Sequence, residues 1–136
     1  MPKPFARVRA AATDGRLATP FWRQEQLQKL HAGLVKSASG LKTAIVQDTG
    51  NTTTEAQIEL TLALNCVRDH FKALDPAQEL QKEYRLAHAK DADDRREPVG
   101  IVRIVATSHT PVFSVVSALA GVIASGNCAI LEVSEP

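Results

Sequence analysis

Apolar residues recur every three to four positions in the first half of the chain, the spacing of amphipathic helices. The first helix is predicted over Pro4–Thr13, with Gly15 as the residue that ends it. Thr19-Pro20 predicts the next start, because Thr is a favoured N-cap and Pro fits the first helical position. The apolar face of this second helix is formed by three leucines, Leu27, Leu30 and Leu34.

The helical pattern breaks or bends at Ser37–Gly40, then resumes and ends at Gly50. A further start is predicted where Thr52 and Glu55 have the spacing of a capping box. Asp75-Pro76 ends this helix, which carries one apolar stripe. The stripe consists of Leu60, Leu64, Val67, Phe71 and Leu74.

The segment from Ala77 to Glu97 has a weaker pattern. Residues Glu83–His88 alternate slightly between polar and apolar, and the run AKDADDRRE is typical of an exposed, charged loop. No regular element is predicted here.

From Glu97 onward the pattern changes to that of an α/β unit. Pro98-Val99-Gly100 leads into the β-branched run IVRIVAT, which predicts a strand. A turn over Thr107–Pro111, a buried helix over Val112–Ser125 and a strand over Cys128–Glu132 follow. Strand, helix and strand in about 35 residues indicate a βαβ unit with parallel pairing and a right-handed crossover.

The predicted fold is therefore α/β, with N-terminal helices followed by the first βαβ unit of an incomplete Rossmann-like parallel sheet. We place a helical region with a charged loop at residues 1–96 and the α/β unit at 97–136. Ligands of open α/β sheets bind beyond the carboxyl ends of the strands. The turn at 107–111 and residues 132–135 are expected at that edge.

Composition and charge indicate which kinds of partner and which cellular setting the chain favours. A formal net charge of +1 favours neither nucleic acid nor an anionic membrane. The uncharged run Pro111–Ala124 is shorter than the roughly 20 residues needed to span a bilayer. Two distant cysteines and the absence of an apolar leader favour a reducing, cytoplasmic setting.

Several types of functional site are disfavoured because the chain lacks their sequence motifs. The chain contains no GxGxxG, GxxxxGK[ST] or GxSxG sequence. The four histidines are far apart, without carboxylate or Cys at metal-ligand spacing, so no metal is expected. The neighbours Ser108 and His109 suggest a hydrolase, although adjacent residues in a turn usually point apart. Cys66 and Cys128 lie in apolar runs and are interpreted as core side chains.

The segment EPVGIVRIVATSHTPVFSVVSALAGVIASGNCAILEVSEP resembles the start of the coenzyme domain of the aldehyde dehydrogenases. That family has EP-G-V, a strand, a Trp-Asn-x-Pro turn, a helix, ALA-GN, a strand and then Lys-Pro-Ser-Glu. The upstream helices, including RVRAAATDGRLATPFWRQEQLQKL, resemble most closely the class 3 branch.

The resemblance implies oxidation of an aldehyde to an acid with NAD or NADP, through a cysteine thiolate and a water-activating glutamate. Ser108-His109 stand at the Trp-Asn pair, so His109 takes the position of the oxyanion amide. Glu132 stands at the ribose-binding lysine, and Glu135 matches the ribose-binding glutamate. The coenzyme residues implied are Thr107, Ser108, Glu132 and Glu135. Two glutamates would repel a 2′-phosphate, so the resemblance favours NAD, with weak or lost binding.

The catalytic Cys and Glu of the family lie beyond the equivalent of Pro136, so we expect a truncated relative that is inactive alone. One alternative is a split oxidoreductase, acting on an aldehyde once a partner chain completes it. A second alternative is a non-catalytic interaction module, and a third is a new activity at Ser108-His109. Because two strands cannot bury both faces of a sheet, exposed apolar surface is expected to cause self-association or binding to a protein partner.

Overall fold

In the computed structural model, which describes residues 3–91 and 96–133, helices precede one pair of parallel strands. The α/β class predicted from the sequence is confirmed. The helices before the sheet are α1 (Lys3–Thr13), a 3-10 turn (Arg16–Ala18), α2 (Pro20–Lys36), α3 (Ala38–Thr49), α4 (Thr53–Ala73) and α5 (Pro76–Ala87). The βαβ unit consists of β1 (Ile101–Val105), α6 (Pro111–Ala124) and β2 (Cys128–Glu132).

The predicted helix starts are confirmed, although by different contacts. At α4 the Thr52 hydroxyl accepts from the Glu55 N–H at 3.2 Å, and the Glu55 carboxylate accepts from the Thr52 N–H at 2.7 Å. This reciprocal pair is the predicted capping box. At α2, Thr19 occupies the N-cap position with extended backbone, but its side chain makes no capping hydrogen bond. Pro20 at the first helical position is therefore the signal that marks this start.

Helix α5 was missed by the sequence pattern. The Asp75 carboxylate accepts from the N–H groups of Ala77 at 2.9 Å and Gln78 at 3.2 Å, so the residue predicted to end α4 also begins α5. None of the α5 residues is buried, although Leu80 and Tyr84 stand at helical spacing, a short signal that the sequence analysis did not use. The charged loop that follows is exposed at 89–91 and 96–97, and its residues 92–95 lie outside the described chain.

The core lies where α2 and α4 pack against α6. Its fully buried members come from all three helices: Leu27, Ala63, Val67, Val116 and Ala120. Phe71 and Leu74 of the predicted α4 stripe pack against this cluster, half-buried. The N-terminal helices and the βαβ unit therefore share one hydrophobic core.

The two strands pair in parallel, with Val105 opposite Glu132 and Ile104 opposite Leu131. The predicted bounds of the second strand are those observed. Ile104 is buried, whereas Val105 is 57% exposed, as expected for neighbours that point to opposite faces of a sheet. Leu131 and Val133 are also exposed. The predicted exposed apolar surface is thus present. That a second copy of the chain or a protein partner covers it stays a prediction.

Both ends of the loop between α6 and β2 are tied down. Arg23 Nη1 donates to the Ala124 carbonyl at 3.0 Å, at the C-terminal end of α6. The buried Asn127 accepts from the Gly100 N–H at 2.7 Å through its side-chain oxygen, which fixes the start of β1 against the start of β2. Among the described residues, no helix has the length and hydropathy required to cross a bilayer.

Gly126 occupies a position that only glycine fits. Its φ is 76°, and a Cβ there would lie 3.0 Å from the Leu17 carbonyl oxygen. The strain of a left-handed backbone and this contact with a main-chain atom both oppose a side chain at this position.

We expect Gly126→Ala to lower the free energy of unfolding by about 2 kcal/mol, because the positive φ and the backbone contact both oppose a side chain. Urea denaturation followed by circular dichroism measures it. Gly33→Ala is the matched control, since Gly33 lies inside α2 with nothing within 4 Å of an added Cβ. The Gly33→Ala substitution should raise the free energy of unfolding by about 0.5–1 kcal/mol, because Gly is a poor residue for a helix interior. Equal effects in the two variants would contradict the assignment.

Candidate functional site

The carboxyl ends of β1 and β2 lie side by side. Val105 is paired with Glu132, and the Ala106 N–H donates to the Glu132 carbonyl at 3.5 Å. The turn that begins at Thr107 therefore leaves the sheet next to the end of β2. This is the edge at which open α/β sheets bind ligands.

The turn between β1 and α6 is exposed but anchored. Thr107, Ser108 and His109 are all exposed. The Thr107 N–H donates to the Ser114 hydroxyl at 3.3 Å, and that hydroxyl donates to the Pro111 carbonyl at 3.1 Å. The first turn of α6 thus holds the backbone of the predicted site, while the side chains face outward.

A buried carboxylate supports the same turn from α4. Glu59 is 6% exposed, and its Oε1 accepts from the N–H groups of Val112 at 2.9 Å and Phe113 at 3.0 Å. These are N–H groups of the first turn of α6, which have no partner within the helix and carry the positive end of its dipole. Its other oxygen, Oε2, is buried without a hydrogen-bond partner. Glu59 was not identified from the sequence, although a carboxylate between Ala56 and Ala63 on the buried stripe of α4 was the available signal.

His109 lies at a groove of about 260 Å³ between α4 and the start of α6. One wall is apolar and comes from Ile58, Leu62 and Phe113, and the polar wall includes Glu55 and Glu59. Ile58 and Leu62 are each at least half exposed, so this apolar wall is open to solvent. A larger groove of about 800 Å³ lies between α1, α2, α6 and the start of β2, at the opposite end of the strands.

Glu132 forms an ion pair across the sheet. Arg103, two residues before the end of β1, contacts Glu132 Oε2 with both its Nε and its Nη2. Both side chains are largely exposed. Glu135, the other predicted ribose ligand, lies outside the described residues. Arg103 was also missed from the sequence, where the only signal was a charge inside the run IVRIV.

The structure does not support a catalytic role for either cysteine. Both are half-buried rather than fully buried, so the core interpretation was only approximately correct. Burial raises the pKa of the Cys66 thiol, and Asp69 acts in the same direction. Burial also raises the pKa of the Cys128 thiol, with a further rise from Asp14 and an opposing effect from Arg16. A nucleophilic cysteine requires the opposite shift.

The remaining chemistry of the turn is limited. Within the described residues, neither Ser108 nor His109 makes a side-chain hydrogen bond, so the Ser-His pair has no orienting third group. In residues 3–91 and 96–133, no three His, Cys, Asp or Glu side chains form a group that could hold a metal ion.

Comparison with known proteins decides the family. The model of the aldehyde dehydrogenase family matches residues 4–136. The chain belongs to the aldehyde dehydrogenase family. No solved structure matches the chain significantly.

The curated relatives of this aldehyde dehydrogenase chain are much longer proteins. It is 31% identical to mouse aldehyde dehydrogenase family 3 member B3, over 95% of this chain and 28% of that protein. Human family 3 member B1 is 31% identical over the same shares. The 4,4'-diaponeurosporen-aldehyde dehydrogenase of Staphylococcus aureus is 31% identical over 84% of this chain and 26% of that protein. The chain thus spans little more than a quarter of these relatives.

We expect Glu59→Ala to lower the free energy of unfolding by about 2–4 kcal/mol, because two N–H groups lose a charged acceptor in a buried site. Glu59→Gln should lose less, since an amide oxygen can still accept both hydrogen bonds. Urea denaturation measures both. Glu25→Ala, which removes one partner of an exposed pair with Lys29, should change stability by less than about 0.5 kcal/mol. A Glu59→Ala loss as small as this control would show that the carboxylate does not hold α6.

We expect Cys66 and Cys128 to react with iodoacetamide more slowly than the thiol of a short unstructured peptide near pH 8, because burial raises the pKa of both thiols. A raised pKa leaves less thiolate at a given pH, so the rate should keep rising at pH values where the peptide thiol has levelled off. Mass spectrometry of each modified cysteine gives the two rates. Urea-unfolded protein is the control and should react like the peptide thiol. Rapid alkylation of either folded cysteine at neutral pH would contradict this reading.

Proposed function

We propose that this chain provides the first part of an NAD-dependent aldehyde oxidoreductase: one side of the coenzyme site and one side of the aldehyde site. The observation that carries the proposal is the parallel pairing of β1 with β2. It brings the turn containing Ser108 and His109 to the edge of the sheet where β2 ends at Glu132. Family membership supplies the type of reaction, and NAD would accept the hydride.

The coenzyme side of the proposed site is formed by Glu132 and the neighbouring turn. The carboxylate of Glu132 stands at the end of a strand, where its oxygens can accept hydrogen bonds from ribose hydroxyls. Thr107 and Ser108 are exposed beside it on the same edge. Glu135 is assigned to this site by resemblance alone.

The aldehyde side is the groove beside His109. The apolar wall of Ile58, Leu62 and Phe113 suits an aldehyde with an apolar body. The relative from Staphylococcus aureus is named as a dehydrogenase of 4,4'-diaponeurosporen-aldehyde, which supports an aldehyde as the class of substrate. An imidazole N–H of His109 would donate to the oxyanion that forms when the carbonyl is attacked.

The 136 residues do not carry out the oxidation by themselves in this proposal. Both thiols have raised pKa values and neither lies at the groove beside His109. The nucleophile and the base that activates water must come from other residues, either on a longer chain or on a separate partner. The two unpaired, half-buried cysteines support a reducing compartment such as the cytoplasm.

A second candidate is a non-catalytic interaction module. Exposed apolar residues at the carboxyl ends of the two strands, on both faces of the sheet, favour it, because such residues often contact another protein. These residues are Val105, Leu131 and Val133.

The test combines turnover with coenzyme binding on the purified chain. We expect no NADH formation from NAD and an aliphatic aldehyde such as hexanal, followed by absorbance. NAD binding should be detectable by NMR titration near a Kd of about 1 mM, or −4.1 kcal/mol, as expected for part of a site. NADH formation that disappears in Cys66→Ser or Cys128→Ser would refute the assignment of the nucleophile to other residues. Complete absence of NAD binding would favour the interaction module.

A further inference from the structure

The groove of about 800 Å³ lies at the end of the strands opposite Glu132, away from the proposed coenzyme and aldehyde sites. Helix α1 packs on β1, β2 and the 3-10 turn, and the groove separates it from α2 and α6. Small-molecule sites in proteins typically have volumes of about 300–1,000 Å³. The groove is therefore large enough to hold a small organic molecule.

The walls of this groove are mainly apolar. Large side chains from two helices line one side: Trp22 on α2, and Leu119 and Ile123 on α6. Each of them is half-buried, so part of its apolar surface is left for the groove. Val8 of α1 lines the other side. A ligand with an apolar chain would remove this surface from water, which is the main favourable contribution to apolar binding.

The charged side chains of the groove leave one positive charge without a partner. Among the described residues, the groove is lined by three charged ones, Arg7, Asp14 and Arg16. The Asp14 carboxylate accepts hydrogen bonds from the side chain and the backbone N–H of Arg16, and these contacts lower the pKa of Asp14. Asp14 and Arg16 therefore neutralise each other. Within the described chain, Arg7 makes no hydrogen bond and no ion pair.

We propose that this groove binds an amphiphilic carboxylate, such as a medium-chain fatty acid, with its carboxylate at Arg7 and its chain along Trp22 and Leu119. A guanidinium can bind a carboxylate through two parallel hydrogen bonds, an arrangement that an alcohol cannot match. One unneutralised arginine matches the single charge of a carboxylate, whereas a phosphate monoester carries close to two. Because the groove is separate from the coenzyme edge, binding here does not depend on the function proposed above.

Trp22 is the only tryptophan of the chain, so its fluorescence reports on the groove directly. We expect decanoate, titrated into the purified chain at low salt and below its micelle concentration, to shift the Trp22 emission to shorter wavelength until it saturates. Arg7→Gln should lower the affinity for decanoate about fivefold, because one charged contact is lost. The same variant should leave the affinity for decanol unchanged, since decanol has the same chain without the charge.

Arg9→Gln is the matched control. Arg9 is also an exposed arginine of α1 but does not line the groove, so its substitution should leave both affinities unchanged. Circular dichroism should show both variants as folded as the parent, because each changes an exposed side chain. An equal loss of decanoate affinity in the two variants would show a general effect of net charge and overturn the role of Arg7.

Three further outcomes would overturn the proposal. The first is the absence of any saturable change in Trp22 emission with decanoate. The second is a shift with vesicles of phosphatidylglycerol but not with monomeric decanoate, which would assign the groove to a lipid surface. The third is an emission that depends on protein concentration and that decanoate does not reverse, which would assign the groove to a second copy of the chain.

Discussion

The hydrogen bonds from the start of α6 to the Glu59 carboxylate are the contact on which the candidate site depends. They join α4 to α6 across 53 residues of sequence. A buried carboxylate is costly, and here it is compensated by two N–H groups and the positive end of a helix dipole. Because the turn that carries His109 enters α6 at this point, its position is set by a helix from the other half of the chain.

Local signals predicted most of the fold. The capping box at Thr52, the break near Ser37 and the strand at Cys128–Glu132 were all recognisable, because each depends on residues close together in sequence. Helix α5 was missed because its Asp-Pro start was interpreted only as the end of α4 and because its apolar stripe is short, with Leu80 and Tyr84 surrounded by charged residues.

The candidate site was only partly predictable from the sequence, because some of its contacts join residues that are far apart along the chain. The sheet edge followed from the βαβ pattern, since parallel strands must end on the same side. Glu59 and Arg103 did not, because their importance depends on partners 53 and 29 residues away. Each breaks an apolar pattern with a charge, and no local rule states which distant group that charge will meet. Positions that violate a pattern in this way are where function is most often found.

Helix α6 is held at both ends by residues from outside the βαβ unit. Glu59 binds its N-terminal N–H groups and Arg23 binds the Ala124 carbonyl at its C-terminal end, so each charge matches the helix dipole where it stands. The partners of both side chains are main-chain groups, so exchanging residues 97–133 between relatives would leave these contacts available. What such a chimaera must keep is Glu59 on α4 and Arg23 on α2, which makes the seat of α6 a property of the helical framework rather than of the α6 sequence.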